Sequence, residues 1–265
     1  MNCRVIPVMM LFLSLLTVPG FSHEKMGGAF DVRIVSDNGY AFPRYRAFPR
    51  TGREGMYYYM EAVKGDRYSI EVRNITGSRL GVVIAVDGRN IISGEKSDLG
   101  NTERMYIIGP YDTNVFEGWR TGMDRTNRFY FTRQSDSYAE KVFSDASAMG
   151  TIAVAVYREK LPDAAQISRM HNSGPRSGST KSGQSREETA RGEKDEHAGT
   201  GFGETNYSPC RVVEFNPESL ASGTVVFKYE WREALCRKGI IFCGKKNRFW
   251  PYELGFAPVP EDFRE

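Results

Sequence analysis

Few residues of this chain have the types and spacing that chemistry requires. Its three histidines are His23, His171 and His197. The sequence puts His23 near the N-terminus and the other two in a polar stretch, none inside an expected strand. A Ser-His-Asp or Cys-His reaction needs an imidazole held in a fixed orientation, so neither is expected. A catalytic zinc site leans on the same residue type. No G-x-x-x-x-G-K-[ST] loop occurs, and GFGE at 201–204 lacks the strand-helix context of a dinucleotide loop. No cofactor and no metal site are therefore assigned. Asp98, Asn101 and Glu103 share a polar loop but lack the periodicity of a calcium loop.

Carboxylates and aromatics remain. Asp87, Glu95, Asp98, Glu103, Glu117, Asp124, Asp136 and Asp145 fall in or near expected loops, and a glycosidase needs only two at a suitable separation. Glu117 and Asp124 are the pair to test for that chemistry. The bland reading is turn formation and solvation, with Asp87 used by its own turn. Among the aromatics, Trp119 followed by Arg120 beside Thr121-Gly122 has the composition of a surface anchor. The competing reading is a buried Trp119 with a solvated Arg120, because alternate positions of every strand must face a core.

Four cysteines are present. Cys3 falls in the leader described below. Cys236 and Cys243 flank Arg237-Lys238-Gly239, a turn signal, and proximity makes them the expected disulfide. Cys210 is then left over, although its pairing with either of the others stays open on spacing alone.

These residues must be positioned by something, and the pattern is that of strands. Arg4 precedes the apolar run Val5–Val18, Pro19-Gly20 ends it, and small residues allow cleavage after Ser22. Residues 1–22 read as a signal peptide too short for a membrane span, and 23–28 as a tail. The expected address is periplasmic or extracellular, with no membrane span in the mature chain. Phe30, Val32 and Ile34 alternate with Asp31 and Arg33, as in a half-buried strand. The AFPR repeated at 41–44 and 47–50 reads as an Arg-rich loop or edge, since proline is excluded from a ladder interior.

Further strands are expected at 57–63 and 67–73. In LGVVIAVDGRNIISG (80–94), Asp87-Gly88 between apolar runs is a strong hairpin signal. Its first arm is apolar on both faces, so it belongs at the centre of the fold. Residues 57–86 read as a meander of three strands. Short strands are expected at 104–108, 114–120 and 128–132, with one helical turn or a loop at 138–147. Gly150–Tyr157 is the second fully apolar strand, expected beside Val82–Val86.

Beyond Leu161 the composition turns to Ser, Gly, Glu, Lys and Arg, which cannot offset its ordering entropy. The expected organisation is an all-β antiparallel sandwich or small barrel at 29–160, a tether at 161–208, and a small β-rich piece at 209–265. That last piece either folds alone or lends strands to the first sheet.

GVVIAVDGRNIISG (81–94), EGWRTGMDRTNRFYFT (117–132) and SAMGTIAVAVYREK (147–160) resemble an exported bacterial protein family with no assigned activity, with KYEWREALCRKGII (228–241) as a distal part. The resemblance covers roughly residues 56–160. It implies a coherent domain and an envelope address, and it carries no catalytic residues across.

Lys and Arg number 36 against 33 Asp and Glu, a net charge of +3. That balance argues against nucleic acid as a partner. The expected function is an exported non-catalytic binding or structural module with an envelope protein or glycan as partner. The alternative is a carboxylate-dependent glycan hydrolase.

Overall fold

The computed structural model describes residues 29–48, 54–160 and 197–243. The expected leader (1–22) and the greater part of the expected tether (161–196) lie outside them. The described residues form two sheets that face each other across one core, with no closed barrel.

Strands are numbered along the chain. The first sheet runs β1 (Phe30–Ser36), β4 (Arg67–Asn74), β10 (Arg125–Arg133), β12 (Ala198–Thr200). β8 (Thr113–Phe116) pairs with β4, while β9 (Gly118–Arg120) and β13 (Thr205–Tyr207) pair with β10. The second sheet runs β2 (Arg44–Ala47), β3 (Met56–Ala62), β14 (Gly223–Trp231), β11 (Thr151–Arg158), β5 (Leu80–Val86), β6 (Arg89–Asn90). β7 (Tyr106–Ile108) pairs with β5. Two short helices complete the fold: α1 (Tyr138–Phe143) lies against β12, and α2 (Arg232–Arg237) against β14 and β3.

The doubly apolar strand is where its composition puts it. All seven residues of β5 are buried. Val82, Ile84 and Val86 face the main core. Val83 faces outward with Ala155 and Tyr157 under Leu99 and Met105. β11 lies antiparallel beside it, Val154 opposite Ile84. Asp87 (φ 48°) and Gly88 (φ 77°) make the turn with two positive φ values that the Asp-Gly signal requires. The return arm is shorter than expected, only Arg89–Asn90.

The expected meander is not formed. The turn at Lys64–Asp66 carries the chain from β3 in the second sheet to β4 in the first, and the stretch before Leu80 carries it back. β3 pairs with β2 and β14, and β4 with β1, β8 and β10. Alternation specifies which face of a strand is buried but says nothing about which strand lies beside it.

One boundary also moves, and one alternative left open by the sequence is decided. Residues 197–208, expected in the tether, are part of the fold: β12 and β13 pair with β10, and Ala198 and Thr200 are buried. Their small side chains fit a crowded site. A Cβ on Gly199 would come within 2.7 Å of Met149 and Ser137, and one on Gly201 would strike the Tyr130 ring. Glycine serves here as a close-approach residue, where composition alone suggests a flexible one. Residues 209–243 are not a separate piece. β14 fills the slot between β3 and β11, parallel to the first and antiparallel to the second. Without it both neighbours would present bare edges.

Candidate functional site

Two constellations stand out, one on each side of the first sheet. The inner one centres on Asp87. Its Oδ1 accepts the Gly150 N–H (2.8 Å) and the Tyr229 hydroxyl (2.6 Å). Its Oδ2 accepts the Thr200 N–H at 2.7 Å. The Thr200 hydroxyl lies 2.7 Å from both Tyr229 Oη and Tyr68 Oη. Because Tyr229 spends its one proton on Asp87, Thr200 must donate to Tyr229 and Tyr68 to Thr200. The four groups form a directed chain that ties β4 and β12 to β14 and the β5–β6 turn.

Burial raises the Asp87 carboxyl to about 6 against the opposing pull of the Tyr229, Thr200 and Gly150 hydrogen bonds. Burial, then the Asp87 charge, pushes both Tyr68 and Tyr229 well above the usual phenol range. All four side chains are 1% exposed or less. The chain of hydroxyls therefore holds the sandwich together and does not meet a substrate. Asp87 does far more than make its turn.

The outer constellation is a shallow cleft of about 360 Å³ lined by Tyr130, Asp136, Tyr138, Lys141, Val142 and Phe202. Tyr138 and Phe202 stack with ring centroids 5.2 Å apart. α1 supplies one wall: the Ser137 side chain accepts the Glu140 N–H at its N-terminus, and Ser144 ends it in the left-handed region (φ 51°). Gly201 and Gly203 donate to Tyr130 and Arg128 carbonyls, each at 2.9 Å, and so present Phe202 outward between them. On the rim Lys141 lies 3.0 Å from Asp136, with Arg133 at 3.6 Å. The hydrogen bond and charge of Lys141, then Arg133 and Lys64, hold the Asp136 carboxyl below its usual range. Val142 is 58% and Phe202 41% exposed. This is an open aromatic surface with a charged edge, suited to stacking on a flat ring and hydrogen-bonding its substituents.

Of the residues singled out by sequence, Trp119 is 2% exposed, so it is not a surface anchor. It donates from Nε1 to the Gly201 carbonyl (3.1 Å) and supports Tyr138 from beneath at 4.6 Å. Arg120 is a clamp: Nε donates to Tyr106 Oη (2.7 Å), Nη1 to the Ser208 carbonyl (2.7 Å) and Nη2 to Ser208 Oγ (2.9 Å). A strand-end Trp-Arg pair reads as an exposed contact whichever of its faces is covered; here the strap at 201–208 covers it.

Glu117 takes an N–H from Asn206 and faces Arg128 at 3.7 Å. Asp124 is exposed in the turn beyond β9 and pairs with Arg125 at 3.1 Å, which lowers its carboxyl. β9 separates the two along the hairpin, a length of roughly 10 Å of strand, so they do not make a facing pair. Glu103 is occupied by the Asp98 and Gly100 N–H groups and by Asn90, and so organises its own loop. Among the described residues no group of three or more His, Cys, Asp or Glu could hold a metal ion. His197 is exposed just before β12. Cys236 and Cys243 are joined in a disulfide across the end of α2, where Gly239 takes φ 67°, and Cys210 is free and exposed.

The sequence reading missed Phe202 and Tyr138. Phe202 is a single aromatic between two glycines in a stretch that reads as linker. That a bulky ring interrupts such a stretch is the one signal it offers. Comparison with protein-family models, curated proteins and solved structures finds no match to this chain.

Proposed function

We propose that this chain is an exported, non-catalytic binding module whose cleft at Tyr130, Tyr138 and Phe202 stacks on a sugar ring of an envelope glycan. The carrying observation is the stacked Tyr138–Phe202 pair, Phe202 exposed and Tyr138 half-buried against the core, beside Asp136 and Lys141. Aromatic faces flanked by polar groups recognise the apolar face and the hydroxyls of a pyranose together. Acidic side chains that could otherwise serve acid–base chemistry are engaged: Asp87 is sealed in the core, and Glu117 and Asp124 are apart and ion-paired. The export reading draws on residues 1–22 of the sequence. A disulfide fits an oxidising compartment, and among the described residues no helix is long and apolar enough to cross a membrane.

The test is retention on a panel of immobilised cell-envelope polysaccharides, using the full chain and its Tyr138→Ala and Phe202→Ala variants. Retention of wild type on one polysaccharide, reduced at least about tenfold in both variants, corresponds to loss of a stacking contact. Equal retention of all three folded proteins, or none by any, rejects the reading.

A further inference from the structure

The polar groups of the cleft narrow the kind of sugar that suits it. Asp136 ends the short 3-10 turn Gln134–Asp136, and Lys141 lies on α1. Between them the buried Ser137 hydroxyl donates to the Gln134 carbonyl (2.7 Å) and accepts the Glu140 N–H (3.3 Å). That staple joins turn to helix. It holds Asp136 and Lys141 as a pair, 3.0 Å apart, before any ligand arrives.

A carboxylate only accepts hydrogen bonds and an ammonium only donates them. The pair therefore suits one ring substituent that donates beside one that accepts. Neighbouring equatorial substituents of a pyranose lie about a hydrogen-bond length apart, which matches the spacing of the pair. Among the described residues, the charged groups lining the cleft are these two, one of each sign. A charged ring substituent would meet one of them as a like charge, so the matching substituents are neutral.

Two hydroxyls would satisfy the pair in either order, but they leave the rest of the lining unmatched. Val142 follows Lys141 on α1 and lines the same cleft with its side chain exposed. A hydroxyl pressed against it gives up water and gains no partner. A methyl there buries apolar area on both sides. The neutral ring substituent that joins an N–H donor to a methyl is an acetamido group.

We propose that the cleft selects a 2-acetamido sugar: Asp136 accepts its amide N–H, Lys141 donates to the neighbouring ring hydroxyl, and Val142 covers the acetyl methyl. The ring itself stacks on the Tyr138–Phe202 pair. The proposal rests on the glycan reading above and names the sugar class within it.

The experiment titrates the full chain, with nuclear magnetic resonance detection at the Val142 methyl groups, against three hexasaccharides of one linkage that differ at a single ring position. Chitohexaose carries acetamido there, its de-N-acetylated form an ammonium, and cellohexaose a hydroxyl. Chitohexaose is expected to bind at least about tenfold more tightly than either of the others. Val142→Ser, at an exposed helix position, is expected to shrink the preference for acetamido over hydroxyl roughly fourfold, the worth of one buried carbon. Its affinity for cellohexaose should be unchanged. Equal affinity of wild type for chitohexaose and cellohexaose overturns the acetamido assignment and leaves the glycan reading standing. Tighter binding of the de-N-acetylated form overturns it too, as does a wild-type preference retained in Val142→Ser. Binding of none of the three, while an envelope polysaccharide is retained, also overturns it. Retention of no polysaccharide at all rejects both readings.

Discussion

The Asp87 network and the outer cleft are made from the same strands and much the same residue types, yet they do opposite things. On β10, Phe129 and Phe131 turn inward and are fully buried, while Tyr130 between them faces the cleft. After β12 the same division recurs: Thr200 is buried, and Phe202, two residues on, is exposed beyond Gly201. Inside, each hydroxyl has a partner, because an unsatisfied buried polar group costs about as much as several surface contacts gain. Outside, the aromatic faces are free of that constraint and can be offered to something else. The side of the sheet, more than the residue type, decides whether a tyrosine is sealed in the core or lines the cleft.

The comparison breaks most severely at its inner half. Asp87→Ala strands the Gly150 and Thr200 N–H groups and the Tyr229 hydroxyl, and should cost about 4 kcal/mol in urea unfolding. A loss below about 1 kcal/mol would show that the network is incidental.

The inner half also has a pH signature that the cleft lacks. Asp87 titrates near 6 in the folded chain and near 4 when unfolded. The folded state therefore binds its proton more tightly. The associated stability is fully present below about pH 4 and is lost as pH rises through about 6, a swing of the order of 3 kcal/mol. Urea unfolding of wild type should lose stability relative to Asp87→Asn between pH 4 and 7. A constant difference across that window would contradict the assignment.

Gly201→Ala strikes at the boundary between the two regions. The added methyl meets the Tyr130 ring and should cost roughly 1–3 kcal/mol. It should displace that ring from the cleft and lower glycan retention while the near-ultraviolet circular dichroism of the buried aromatics is preserved. The smallest expected effect on stability is that of Phe202→Ala. A half-exposed ring should change stability by less than about 1 kcal/mol, yet abolish the stacking contact.

What could be read from the sequence divides along the same line between local and non-local information. The Asp87-Gly88 turn, the central place of β5, its β11 neighbour and the Cys236–Cys243 bridge were legible, because each rests on a short pattern with one cheap solution. Strand partners were not, since Tyr68, Ile70 and Val72 declare a buried face without naming a neighbour. Nor was the role of 197–208. Low apolar content reads as disorder, but Gly199 and Gly201 are there because no larger residue fits. The cleft was hidden for that reason. Trp119 stood out as an aromatic worth attention, although it is buried and supports Tyr138 from below.

The parallel pairing of β3 with β14 joins residues such as Tyr59 and Lys228, and this has a consequence for the order in which the molecule can be made. Such a contact closes a very long loop before any pairing energy is returned, and high contact order slows folding. A chain emerging N-terminus first has synthesised β3, β5 and β11 long before the strand that belongs between β3 and β11 exists. Until residue 231 is out, two edges of an apolar sheet stay open to whatever strand is nearby. A fragment ending at residue 160 would be held permanently in that state, and should aggregate where the full chain folds.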